Sequence, residues 1–99
     1  FQPHLYTRTR DFYKDFADSL SLLDEVILVD IYPAREQPIP GVTSKLIYDH
    51  LRPGIEKSMC KKEEILDVLS KKDIEVLITL GAGDIDNYVP QICRLLNKK

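Results

Sequence analysis

Two nearly unbroken aliphatic runs, EVILVDI at 25–31 and IEVLITL at 74–80, constrain the fold of this chain more than any other feature. Each is short, rich in β-branched residues and bounded by polar or glycine-bearing segments, so each predicts a strand. A strand that is apolar on both sides of its pleat needs cover on both faces, which is the habit of parallel sheets. Parallel neighbours in turn require long crossover connections, usually helical.

The stretches between the runs supply those helices. From Asp11 the residues Phe12, Phe16, Ala17, Leu20 and Leu23 recur at three- and four-residue spacing and predict a helix ending before Asp24-Glu25. Thr9 is a reasonable N-cap for it, with Asp11 well placed near the helix N-terminus. YPAREQPIPGVT reads as a long loop, because Pro33, Pro38, Pro40 and Gly41 interrupt regular structure. Thr43 or Ser44 can cap a short helix carrying Leu46, Ile47 and Leu51, stopped by Pro53-Gly54. A weak strand near Lys57–Cys60 precedes a helix that uses Ile65, Leu66, Val68 and Leu69. The last helix holds Tyr88, Val89, Ile92, Leu95 and Leu96, and starts near Asp86 or Asn87 so that Pro90 falls in its first turn. The expectation is an α/β fold, a Rossmann-like parallel-sheet sandwich with helices on both faces. Three strands are complete in this reading, and Phe1–Pro3 is the end of a truncated first strand.

At 99 residues, 43% hydrophobic and 30% charged, the chain fits one domain spanning 1–99. The formal charge of −2 is spread over mixed signs, which argues against a nucleic-acid platform. Cys60 and Cys93 stand far apart with no CxxC or Cys/His spacing, and read as reduced, at least partly buried thiols of a cytoplasmic protein. No apolar run approaches the ~20 residues that span a bilayer, and no signal peptide is visible, so no membrane partner is expected. With phenylalanine rather than methionine first, the chain reads as a piece of something longer.

In open α/β sheets ligands bind at the carboxyl ends of the strands. Three segments follow strands and share that edge: His4–Arg10, Tyr32–Ser44 and Gly81–Asp84. In the first, Arg8 and Arg10 offer forked donors suited to a carboxylate or phosphate, and His4 adds a donor or acceptor. As single residues the arginines read first as solvated charges ahead of a helix and His4 as a satisfied turn histidine; clustered after a strand, the two readings balance. In the second, Arg35 and Glu36 sit in a proline-stiffened loop and read as site residues or as a surface ion pair worth little. In the third, LGAGD resembles part of a phosphate-cradling turn, but it lacks a third glycine and Asp84 puts a negative charge where phosphate would sit. There a tight turn with Asp84 or Asn87 as cap is the better reading. No P-loop lysine motif, nucleophile elbow, paired-carboxylate signature or metal-ligand spacing occurs, so no catalytic residue and no metal ligand is assigned. By residues alone this is an anion-binding α/β domain.

FQPHLYTRTRDF, VDIYPAREQPIPGV and GAGDI, in this order and spacing, resemble the C-terminal domain of the bacterial Mur ligases over nearly the whole chain. Within that family the residues are most similar to the enzyme that adds L-alanine to UDP-N-acetylmuramate in peptidoglycan synthesis. The resemblance implies an ATP- and Mg²⁺-dependent amide ligase that works through an acyl phosphate. It places the UDP-sugar domain and the central ATP-binding domain outside this chain, so the 99 residues alone are expected to be inactive. It implies that His4 and Arg8 approach the incoming amino acid and its carboxylate. Arg35 and Glu36 take supporting substrate contacts, and Gly81, Ala82 and Gly83 form the terminal glycine turn on the nucleotide side. Leu5 departs from the pattern, since some members carry arginine there. Other readings are a related ligase that joins a preformed peptide to UDP-N-acetylmuramate, a stand-alone anion- or nucleotide-binding module, and a plain interaction domain.

Overall fold

Alternation along one strand organises the whole domain. In the computed structural model, which describes residues 1–81 and 84–97, β1 (Glu25–Val29) pairs in parallel with β2 (Glu56–Cys60), from Glu25 opposite Glu56 to Val29 opposite Cys60. Successive side chains of a strand point to opposite faces. Val26 and Leu28 enter one core with Ala17 and Leu20 of α1 (Tyr6–Leu20) and Ile47 of α2 (Lys45–His50). Val29 enters a second core, against which Ile27 also packs, with Ile65 and Leu69 of α3 (Ile65–Ser70) and Ile92 of α4 (Val89–Asn97). Helices therefore cover both faces of a parallel pair, as the unbroken run at 25–31 requires.

The other edge of β1 is taken by the first five residues. Val29 donates to the Phe1 carbonyl at 2.9 Å, Tyr32 to Pro3 at 2.8 Å and Leu5 to Tyr32 at 2.8 Å. The Phe1 nitrogen donates to the Ile27 carbonyl at 2.7 Å. Beyond this segment, Gln2 donates to the Leu80 carbonyl at 3.0 Å. Residues 1–5 thus lie beside β1, which pairs on its other edge with β2.

Three expectations are corrected here. Residues 74–80 form no strand, so two strands rather than three are complete among the described residues; Val76 is 81% and Ile78 58% exposed. A parallel strand needs a backbone partner along its length, and among the described residues the run meets residues 1–5 through the Leu80 carbonyl. The rest of the run borders an open cleft of about 480 Å³ that Phe1, Leu23, Ile27 and Leu69 also line. Next, α1 begins at Tyr6 rather than Asp11, and Thr9 does not cap it: fully buried, its hydroxyl donates back to the Leu5 carbonyl at 2.8 Å. Last, Cys93 is exposed rather than buried, although both thiols are free as expected.

The last helix begins at Val89 rather than near Asp86 or Asn87, and Ser44 precedes α2 without capping it through its side chain. A 3-10 turn at Asp84–Tyr88 leads into α4, leaving Pro90 in the first turn, where its missing N–H costs nothing. Leu51, just before Arg52-Pro53-Gly54, turns extended and ends α2. Ser44 donates to the Val29 carbonyl at 2.6 Å, pinning the end of the long loop to the end of β1.

Leu28 is fully buried between β1 and the α1–α2 layer. Leu28→Ala should cost about 2–5 kcal/mol, part transfer and part cavity; urea unfolding followed by far-ultraviolet circular dichroism measures it.

Candidate functional site

A cleft of about 530 Å³ opens at the carboxyl end of β1 and β2, lined among others by Gln2, Tyr6, Tyr32, Ser44, Lys62 and Asp84. The three segments that topology assigned to this edge do meet there: Tyr6 comes from the first, Tyr32 and Ser44 from the second, Asp84 from the third, and Gln2 stands just ahead of the first. Lys62 comes from a fourth segment, the turn after β2, which sequence analysis did not single out. The same rule of strand ends points to it, but the weakness of the 57–60 strand signal hid it.

The network at the cleft floor centres on Gln2, which is 2% exposed. Its Nε2 donates to Asp84 Oδ1 at 2.7 Å, and its Oε1 accepts from the Ile85 amide at 2.9 Å. The Lys62 ammonium donates to the other Asp84 oxygen. These two donors, Lys62 first, hold the Asp84 carboxyl below the usual carboxylate range, and Asp84 in turn raises Lys62. The negative charge that sequence analysis placed in the glycine turn is thus neutralised within the protein.

Gly81 has a packing role in this network. It sits at φ 149°, and a Cβ there would meet the Gln2 carbonyl oxygen at 2.8 Å. Only glycine lets the turn close against the first segment. Ala82 and Gly83, the other residues of the expected nucleotide-side turn, lie outside the described residues.

His4 forms a parallel bridge with Tyr32, and its ring stacks on the Tyr32 ring at 5.7 Å between centroids and 16° between planes. Because Tyr32 lines the cleft, this stack fixes the imidazole at the rim. Arg8 lies in the first turn of α1 and is exposed, as is Arg35 in the loop, and neither has an ion-pair partner among the described residues. Arg10 is spoken for by Asp11 at 2.9 Å on the surface. Glu36 is half-buried and accepts from the Tyr6 amide at 2.6 Å, the Thr7 amide at 3.1 Å and the Thr7 hydroxyl at 2.5 Å. The hydroxyl bond first, then the amides, lower its pKa. His4, Arg8, Arg35 and Glu36 are not among the residues that line the cleft; Arg8 and Arg35 are unpaired guanidinium groups, a type that suits a carboxylate.

Among the described residues no group of three or more His, Cys, Asp or Glu side chains is gathered to hold a metal ion, and no helix is long and apolar enough to cross a membrane. The nearest carboxylate to the glycine turn, Asp84, is already held by Lys62 and Gln2. The described residues thus do not fit an Mg²⁺–nucleotide site of their own.

Gly81→Ala should destabilise the domain by about 1–3 kcal/mol, since the clash falls on backbone, and thermal unfolding measures it. Asp84 supplies a pH signature as well. Its folded pKa lies below the unfolded value, so its contribution is complete above about pH 4 and is lost as pH falls through the folded value. Asp84→Asn should flatten the fall of stability on the acid side, read from urea midpoints at successive pH values.

No family model matches the chain. Over all 99 of its residues it is 99% identical to the UDP-N-acetylmuramate–L-alanine ligase of Phocaeicola vulgatus, covering 22% of that protein. It is 59% identical over 99 residues to the ligase of the same name from Parabacteroides distasonis, covering 21%. The corresponding ligase of Cytophaga hutchinsonii is 48% identical over 99 residues, again with 21% covered. The chain spans about a fifth of the length of these curated relatives. Relatives of one name thus match every segment that builds the cleft, and over its whole length the chain is similar to a part of the UDP-N-acetylmuramate–L-alanine ligases.

Proposed function

We propose that these 99 residues form the C-terminal, amino-acid-binding and site-closing domain of a ligase that joins L-alanine to UDP-N-acetylmuramate in the cytoplasm. The observation that carries this reading is the 99% identity, over the whole chain, to a ligase of that name. The geometry of the edge supports it. Arg8 stands free in the first turn of α1, and His4 is fixed on Tyr32 at the cleft rim.

In this reading the other domains of the longer protein bind ATP, Mg²⁺ and the UDP-sugar, and supply phosphoryl transfer to the sugar's lactyl carboxylate. The present residues receive the amino acid. Arg8 pairs with its carboxylate through two parallel N–H donors, which fixes both distance and plane. His4 meets the amino acid beside it, with its ring plane set by Tyr32. The alanine amine attacks the acyl phosphate carbon, a tetrahedral intermediate forms, and phosphate leaves as the amide is made. Closure of this domain over the others excludes water, which would otherwise hydrolyse the acyl phosphate. Arg35 extends the positive edge toward the anionic substrates.

The isolated chain is expected to make no product. In the Phocaeicola vulgatus ligase, changing the residue that matches Arg8 to alanine should raise the L-alanine KM by about tenfold to a hundredfold, the worth of a charged hydrogen-bonded pair. Steady-state kinetics at saturating ATP and UDP-sugar measure this. An unchanged KM would remove Arg8 from the carboxylate site.

A further inference from the structure

One carboxylate joins the 32–44 loop to the N-terminal turn of α1. Glu36 Oε1 accepts from the Tyr6 and Thr7 amides and Oε2 from the Thr7 hydroxyl, across 29 or 30 positions of sequence. Three of its roughly four acceptor positions are filled from within the protein. This suits Glu36 to capping a helix end and leaves little of it for a ligand. An α-helix starts with N–H groups that lack partners, and an anion there also meets the positive end of the helix dipole.

What the cap holds in place matters more than the cap itself. Leu5, the residue before α1, has φ 70° and ψ 139°, in the region that favours glycine. For a leucine that backbone costs on the order of 1–3 kcal/mol and persists only where the surroundings over-determine it. They do so here. The Leu5 amide is tied to the Tyr32 carbonyl, its own carbonyl takes both donors of Thr9, and the next two amides are held by Glu36. Leu5 stands between His4 and the turn that carries Arg8, so this reversal sets how the imidazole and the guanidinium are presented to one ligand. The loop that brings Glu36 is itself bent by a left-handed residue, Ala34 at φ 52°.

We propose that Glu36 is a positioning residue: by capping α1 from the neighbouring loop it holds the strained Leu5 turn and thereby fixes His4 and Arg8 relative to each other. The proposal rests on the function given above only for the identity of the ligand.

Two measurements test it. In the 99-residue chain, amide hydrogen exchange is compared for wild type, Glu36→Gln and Glu36→Ala, with the β1 amides as the control for an intact fold. Exchange at Tyr6 and Thr7 should quicken by about tenfold, the worth of a lost cap, while β1 is unchanged. Unchanged exchange at Tyr6 and Thr7 overturns the proposal whatever the chain's function. Equal acceleration everywhere in both variants overturns it too, because Glu36 would then be a general stabiliser. In the Phocaeicola vulgatus ligase, the change matching Glu36→Gln should raise the L-alanine KM by about tenfold with kcat within about twofold. Combined with Arg8→Ala it should add less than about twofold, because it acts through that residue. A double variant whose KM is the product of the two single effects would mean that Glu36 acts on the ligand directly, against the proposal. If Arg8→Ala alone leaves KM unchanged, the carboxylate reading fails, and the exchange experiment decides the role of Glu36.

Discussion

The hydrogen bonds that lay residues 1–5 alongside β1 decide where the rest of the structure can go. Val29 and Tyr32 donate to Phe1 and Pro3, and Leu5 donates back to Tyr32. This short ladder carries the first segment to the carboxyl edge and delivers it into α1 at a fixed point. The same segment brings Gln2 against Leu80, Asp84 and Ile85, which ties down the terminal turn from the other side. The 32–44 loop and the turn at Asp84, remote in sequence, share one cleft because each is anchored to those five residues.

The charges at that edge divide into two kinds. Lys62 and Asp84 neutralise each other over buried Gln2 and serve to hold the turn. Arg10 is paired with Asp11 at the surface. Arg8 and Arg35 have no such partner among the described residues, and they are the cations with binding capacity to spare. Counting positive residues near a strand end does not separate these classes; asking which ones the protein already satisfies does. The cleft itself is lined by Asp30 and Glu63 beside the neutralised Lys62–Asp84 pair, so any positive charge offered to a ligand comes from outside its lining.

How much of this could be read from the sequence depends on the range of each interaction. EVILVDI declares a strand covered on both faces, and Val26, Leu28 and Val29 meet helices on opposite sides accordingly. Pro53-Gly54 marks the end of α2 through local sterics, and Pro90 falls in the first turn of α4, although that helix begins at Val89 rather than near Asp86 or Asn87. IEVLITL carries the same composition as β1 yet forms no ladder, because apolar content says what a segment would bury and not whether a backbone partner reaches it. The start of α1 at Tyr6 escapes the sequence for a related reason. Thr9 looked like a cap by type and spacing, whereas the acceptor in use, Glu36, lies 29 positions from Thr7. Gln2 gives no sign in the sequence that it is the centre of a network, since an isolated glutamine is ordinarily a surface residue.

The contrast between Leu5 and Gly81 shows what the site asks of the backbone. At Gly81 the turn approaches the Gln2 carbonyl so closely that any side chain would collide, and the sequence meets that demand with glycine. At Leu5 the backbone is also in glycine's territory, yet the residue is a leucine. Glycine there would relieve the strain but would loosen the reversal between His4 and Arg8 by giving the chain more conformations to choose from. A leucine held there by Tyr32, Thr9 and Glu36 gives a turn with one geometry at the cost of some stability. That exchange is sensible where two side chains must meet one small ligand, because an ångström of play between them loses more in binding than the strain costs in folding.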